Sequence, residues 1–400
     1  MKKLEQSLYL VLCLLMGIGT LSGCVEEFEA DIPTDDSDLL VVEGTISAGQ
    51  MNTFYLSRTQ DLRSYVPKMV SGARVSVQGS DGSLFMAQNS DANGSYSCWI
   101  DNLSPDVTYW LHIELDGEVY ESEPQKPLPT EKITEVRGVQ NTPESNIDVL
   151  VTTDVPFESD HVNYYSWRYD ETWEVRAECS TIMYYDVEQR ARVYLATLFP
   201  VRGWLDATGT TIMVGASSNY EGQRIQGLKL YDINRSDSRM YHRYSGQIYQ
   251  RAISKAEYEY ELARRQAGSE MGGLFTPQPS ALPTNIHCIT SSKHVIGFVG
   301  CSLNTSKYRF FLDAANFSIK RPPYFDSRMW IDNPSEDDCI ELVNRGYYLC
   351  EWEDHTSTPG GALETAWATW SQLDVRSQGA YIEVPEFWLQ GGNESYEDEE

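Results

Sequence analysis

The chain of 400 residues carries 59 Asp and Glu against 31 Lys and Arg, which gives a formal net charge of -28 at pH 7. A negative field of this size repels phosphate backbones and anionic lipid surfaces, so the sequence argues against nucleic-acid binding and against electrostatic attachment to a membrane. The length exceeds what a single hydrophobic core normally supports, and we therefore expect two domains, or three.

The start of the chain has the organisation of a bacterial lipoprotein signal. Lys2 and Lys3 precede an apolar run at 8–18, which is too short to cross a bilayer permanently, and Leu21-Ser22-Gly23-Cys24 follows. We therefore predict a signal peptide over residues 1–23 that is removed, with Cys24 lipidated as the new N-terminus. A protein held in this way is anchored to a membrane by its lipid and does not span it.

Acidic segments are expected at both ends of the mature chain. Residues 24–37 form an acidic tether, in which Glu26, Glu27 and Glu29 follow the lipidation site closely. Residues 391–400 are rich in Asp and Glu and are predicted to be a disordered acidic tail.

The pattern between tether and tail predicts a mainly β protein, beginning with residues 38–123. Short alternating runs are separated there by turn residues, such as Asn93-Gly94 and Asp116-Gly117, which suit tight hairpins. The order Gly-Ala-x-Val, Asn-Gly-x-Tyr, Leu-x-Pro and Thr-Tyr resembles immunoglobulin-like modules of the carboxypeptidase-regulatory type. We therefore expect an immunoglobulin-like β-sandwich over 38–123, with Tyr96 and Tyr109 packed in its core.

A proline-rich linker at 124–130 is predicted to end this sandwich, because its three prolines cannot pair as a central strand. A larger β-sandwich-like domain is expected to follow at 131–390. One amphipathic helix is predicted within it at about 254–266, since Ser254 and Glu257 have the spacing of a capping box.

Aromatic residues cluster in two places within the larger domain. Tyr165, Trp167 and Tyr169 share one face of a predicted strand, which favours packing in the core over a surface that stacks on sugars or peptides. The tyrosines around His242 and Arg243 are a better candidate for a polar aromatic surface.

Six cysteines remain once the signal peptide and the lipidated Cys24 are set aside, and fifteen pairings of six are possible. A hairpin turning at 344–345 would place Cys339 opposite Cys350, and we predict a disulfide between them. A zinc site is disfavoured because the chain has no C-x-x-C pair.

Catalytic motifs are missing from the sequence. It contains no H-E-x-x-H, no G-x-S-x-G, no phosphate loop and no dinucleotide-binding fingerprint. We therefore predict no catalytic residue, no cofactor and no metal site, and a protein that is not an enzyme. Acidic residues are abundant, so a pair of carboxylates with glycosidase geometry stays open as an alternative.

Several local motifs, taken in order, resemble those of one lipoprotein family. They are Asp31-Ile32-Pro33 before Leu40-Val41-Val42-Glu43-Gly44, then Tyr164-Tyr165-x-Trp167-Arg168, Gly272-Gly273-Leu274-Phe275, Gly297-Phe298-Val299-Gly300 and Pro385-Glu386-Phe387-Trp388. With the lipobox and the acidic residues behind it, this order resembles the Bacteroidetes outer-membrane lipoproteins of domain of unknown function 4249 (DUF4249).

The resemblance implies a lipid-anchored protein of the outer membrane that faces the cell exterior. Such proteins are commonly encoded beside a TonB-dependent receptor, which implies a non-enzymatic accessory that helps this receptor capture a nutrient. A surface adhesin or structural lipoprotein is the alternative, and a glycan or peptide hydrolase is a third reading. The resemblance implies no catalytic residues.

A partner-facing surface is predicted at the helix near 254 and the proline-rich loop through Pro283. A capped helix inserted in a closed sandwich is an addition that the fold does not need, and such additions often carry binding. We assign Glu257, Glu261, Arg265 and Phe275 to this surface. The alternative is that the apolar residues of the segment only cover an open end of the sheet.

Overall fold

The computed structural model describes residues 38–390, except for 60–67, 90–92, 158–159, 195–198, 271–282, 324–325 and 359. The predicted signal peptide, Cys24, the tether at 24–37, Phe275 and the tail at 391–400 lie outside the described residues.

The described part of the chain is mainly β-strand. In chain order the strands are β1 (Leu40–Ser47), β2 (Gln50–Arg58), β3 (Lys68–Met69), β4 (Arg74–Gly79), β5 (Leu84–Asn89), β6 (Ser95–Ile100), β7 (Tyr109–Leu115), β8 (Glu118–Ser122), β9 (Ile133–Val139), β10 (Ile147–Thr153), β11 (Tyr164–Arg176), β12 (Met183–Asp186), β13 (Ala191–Tyr194), β14 (Arg202–Thr208), β15 (Met213–Ala216), β16 (Leu228–Ile233), β17 (Arg243–Ile253), β18 (Ile286–Cys288), β19 (Val295–Ser302), β20 (Ser306–Asp313), β21 (Met329–Asp332), β22 (Tyr347–Asp354) and β23 (Leu363–Thr369). The α-helices are α1 (Lys255–Glu270), α2 (Glu336–Asn344), α3 (Trp370–Leu373) and α4 (Glu386–Gln390).

The first module is the predicted immunoglobulin-like sandwich. Strands β1, β2 and β6 form one layer, β4, β7 and β8 form the other, and β5 pairs with both β4 and β6. Because side chains alternate across each strand, every second residue faces the core. Tyr96 and Tyr109 are buried in that core, as the sequence predicts.

Two strands from much later in the chain complete this module. Strand β19 pairs with β1 in parallel, and β18 pairs with β8 antiparallel. The side chain of Asn285 joins the two ends of the curved sheet, because it both donates to and accepts from the backbone of Val299 at 2.9 Å. The first module therefore contains residues beyond the predicted range 38–123, since its core also includes Ile286, Val295 and Cys301.

A second sandwich follows, in which the sheet β16-β10-β9 packs on the sheet formed by β14, β15, β11, β17 and β20. Its core includes Tyr165, Trp167 and Tyr169, which confirms the prediction that these rings are buried. Tyr244 is also buried here, on β17 at the centre of the sheet, and its hydroxyl donates to Glu171 at 2.9 Å. The expected polar aromatic surface around His242 and Arg243 is therefore wrong for Tyr244.

A third, smaller sheet with the order β21-β23-β22 packs against α2 and the β12-β13 ribbon. The predicted hairpin between Cys339 and Cys350 is wrong, because Cys339 lies in α2 and both thiols are free. Ser335 and Asp338 form a capping box that starts this helix, so the chain approaches β22 as a helix and not as a partner strand.

Candidate functional site

Helix α1 begins where the sequence predicts and runs further, to Glu270. The Ser254 hydroxyl caps it by accepting from the backbone N–H of Glu257 at 3.1 Å. The carboxylate of Glu257 does not complete the capping box. It turns towards the sheet, where both oxygens accept from the guanidinium of Arg251 on β17.

The inner face of α1 spans the junction between the two sandwiches. Tyr260 packs on Phe298 of β19 with ring centroids 5.6 Å apart, and Arg264 pairs with Glu43 of β1 at 3.0 Å. Because Arg251 belongs to the second sandwich while β1 and β19 belong to the first, α1 holds the two together.

This geometry corrects part of the predicted partner surface. Glu257 is only 4% exposed and is bound to Arg251, so it is not on the outer side of the helix. Glu261 is also largely buried, and this burial raises the pKa of its carboxyl group. Arg265 is exposed, as predicted. The inner face of α1 therefore acts as a cover over the sheet, and Glu257 and Glu261 belong to that cover.

A cavity of about 390 Å³ opens beside the start of α1. Its lining is mostly apolar and includes Leu128, Phe157 and Ile253. Glu131 lines it as well, but one carboxylate oxygen accepts from the Tyr165 hydroxyl at 2.8 Å and the other from the backbone N–H of Phe157 at 3.2 Å. This carboxylate therefore supports the wall of the cavity.

Two further buried carboxylates in the second sandwich are bound to arginines. Glu171 pairs with Arg239 at 2.6 Å. Burial alone would raise the pKa of Glu174, but hydrogen bonds from Arg176 and Arg202 outweigh this effect, so the pKa lies below its ordinary value. A glycosidase acid needs the opposite, a carboxyl group that keeps its proton near neutral pH.

Exposed apolar side chains form a row across the outer face of the first sandwich. Met51 on β2 lies opposite Trp99 on β6, and both are 56% exposed. Gln88 lies opposite Ser97 in the β5-β6 register, so Met86, two residues before Gln88, lies on the same face as Trp99, two residues after Ser97. Leu84, two residues before Met86, shares its face. We call Leu84, Met86, Trp99 and Met51 the apolar row.

No local pattern in the sequence predicts this row. Its residues alternate with buried ones, as in any sandwich strand, and only the register of β2, β5 and β6 shows that the exposed ones are neighbours. Large contiguous apolar patches on folded domains commonly mark contacts with a protein, a ligand or a membrane.

Comparison with known proteins gives a family. The sequence matches Domain of unknown function (DUF4249) over residues 25–308. The chain belongs to the DUF4249 family. No curated protein matches it.

Among solved structures, the DUF4249 chain is similar to a DUF4785 family protein from Legionella pneumophila. The two are 12% identical, the similarity covers 48% of this chain and 55% of the Legionella chain, and the TM-score is 0.17. The chain thus spans about half the length of that structure.

The DUF4249 match ends inside β20, so it covers the first sandwich, α1 and the second sandwich up to the start of β20, but not the third sheet. Within the ranges described above, no helix has the length and apolar character needed to cross a bilayer. The same residues contain no group of three His, Cys, Asp or Glu side chains that could hold a metal ion.

Proposed function

We propose that this DUF4249 protein is a lipid-anchored lipoprotein of the outer membrane that faces the cell exterior and serves a TonB-dependent receptor as a non-enzymatic accessory in nutrient capture. The observation that carries this proposal is the apolar row on the first sandwich, because it is a ready contact surface on the module nearest the predicted anchor.

The anchor limits where that surface can act. Residues 24–37 separate the predicted lipid on Cys24 from the first described residue, and at full extension a segment of this length spans at most about 50 Å. The first sandwich therefore stays close to the membrane that holds the lipid. A partner embedded in the same membrane, such as a receptor, is within its reach.

The chemistry of the apolar row suits a protein partner. Trp and Met are enriched in the cores of protein interfaces, and a tryptophan at the centre of such a patch commonly contributes the largest share of the binding energy. Polar residues border the row on one side, where Thr53 and Ser97 on the same face share a hydrogen bond of 2.9 Å. An apolar centre with a polar rim is the usual anatomy of a reversible interface.

The test is capture of the tagged protein from its native membrane in mild detergent, comparing wild type with a Met51→Ser, Trp99→Ser double variant. We expect co-purification of a TonB-dependent receptor with wild type and a loss of at least about tenfold with the variant, because losing a central tryptophan commonly costs 2 kcal/mol or more. Leu389→Ser is the matched control, since Leu389 is 76% exposed but lies on α4 at the other end of the chain.

The outcomes separate the alternatives. If the double variant stays folded and captures the receptor as well as wild type does, the apolar row is not the docking surface. If wild type captures no receptor but binds host or matrix proteins through the row, the protein is an adhesin and the accessory role is wrong.

A further inference from the structure

Cys179 and Cys350, the second of which the sequence predicts to pair with Cys339, lie close together between the second sandwich and the third sheet. Cys179 follows the end of β11, and Cys350 lies on β22. Cys179 packs against the small core formed by Cys350, Ala366, Ala368 and Leu373. The Cys179 thiol donates to the carbonyl of Gln372 at 3.8 Å, and the Cys350 thiol donates to the carbonyl of Tyr348 at 3.5 Å.

Hydrogen bonds to the backbone hold the two chain segments that carry these cysteines next to each other. The N–H of Cys179 donates to the carbonyl of Gln372 at 3.2 Å, and the Thr181 hydroxyl donates to the carbonyl of Leu349 at 2.7 Å. The second bond joins residues 168 positions apart. The chain segments that carry the two thiols are therefore held together independently of any covalent link.

We propose that Cys179 and Cys350 are a disulfide site that locks the third sheet onto the second sandwich. The oxidant is a disulfide of a thiol-disulfide exchange protein, or a small-molecule disulfide. The Cys179 thiolate attacks one of its sulfurs, which forms a mixed disulfide and releases the first thiol. The Cys350 thiolate then attacks the Cys179 sulfur and releases the second. The two cysteines lose two protons and two electrons, and the oxidant takes them up as it becomes two thiols.

Cys179 is the residue that starts this exchange. It is half-buried, whereas Cys350 is buried, so an external disulfide can reach Cys179 first. Burial raises the pKa of both thiols, and the nearby guanidinium of Arg328 opposes this effect only in part. Cys339, on the buried face of α2, packs in a different core cluster from Cys179 and Cys350.

The link would bind a part of the chain inside the DUF4249 match to a part outside it, because Cys179 lies within residues 25–308 and Cys350 does not. The inference does not depend on the proposed receptor role, since it concerns how the modules are held together.

The test is non-reducing peptide mapping of the purified full chain, first as isolated from the cell envelope and then after reduction and treatment with oxidised glutathione. We expect one cross-linked peptide pair containing Cys179 and Cys350, and a protein that unfolds at higher denaturant concentration when oxidised than when reduced. Cys350→Ser should abolish the cross-link and the difference, while the control Cys339→Ser should keep both.

The proposal is overturned if Cys179 and Cys350 remain alkylatable after oxidation of the folded wild-type protein, or if they pair with other cysteines. The wild-type map needs no variant, so a folding defect in Cys350→Ser cannot obscure the answer.

Discussion

The buried ion pair between Glu257 and Arg251 allows a direct test of the role of α1. Glu257→Ala leaves the guanidinium of Arg251 without its partner, at a site where the two side chains are only 5% and 15% exposed. Breaking a buried pair by removing one member typically costs about 3 to 5 kcal/mol. Glu259→Ala is the matched control, because Glu259 is 58% exposed and its pair with Lys255 at 3.6 Å is worth about 0.3 to 0.5 kcal/mol.

The assay is urea unfolding of the full chain followed by circular dichroism. With a slope near 3 kcal/mol per molar urea, the Glu257→Ala transition should move down by about 1 M or more, while that of Glu259→Ala should stay within about 0.2 M of wild type. Replacing both partners with methionine should recover much of the loss, because no charge is then left unpaired. Equal midpoints for the two single variants would contradict the conclusion that α1 holds the two sandwiches together. Glu257 would then be better described as a residue of the outer surface.

Three further outcomes follow from the sequence and the fold. Cys24→Ala should release the protein from the membrane fraction, and pelleting of this variant after a salt wash would contradict lipidation. Gly297→Ala should lower the free energy of unfolding by at least about 2 kcal/mol in denaturant unfolding, because the residue has φ +140° and a Cβ there would overlap the carbonyl of Val42. The control Gly379→Ala should lower it by only about 1 kcal/mol, because Gly379 has φ +82° and open space around it. The pKa of Glu174 lies below its ordinary value of 4.5. The stabilisation from this carboxylate is therefore complete above pH 4.5 and is lost as the pH falls through the lowered pKa. Wild type should lose more stability than Glu174→Gln between pH 5 and pH 3, as measured by denaturant unfolding.

Local signals in the sequence were sufficient to predict many of the strands, turns and helix starts of the fold. Alternation identified the strands of the first sandwich, and the turn pairs at 93–94 and 116–117 placed its hairpins. The hydroxyl of Ser254 identified the start of α1. These features depend on neighbours within a few residues, so a single sequence records them directly.

Pairings between distant segments could not be obtained in the same way. The parallel pairing of β1 with β19 joins residues more than 200 positions apart, and nothing in the local pattern of either strand names its partner. The apolar row has the same origin, because Met51, Met86 and Trp99 come to share one face only through the register of three strands. The helix α2 is different. Ser335 and Asp338 carried a readable capping signal, which the hairpin interpretation of Cys339 and Cys350 overlooked.

Docking of the first sandwich on a receptor in the same membrane can be tested by photo-crosslinking in intact cells. A photo-reactive amino acid at position 86 lies within the apolar row, and the same amino acid at position 389 serves as the control. We expect the probe at Met86 to crosslink to a TonB-dependent outer-membrane receptor and the probe at Leu389 not to do so. Crosslinking at both positions alike, or at neither, in a protein shown to be folded and anchored, would contradict the account.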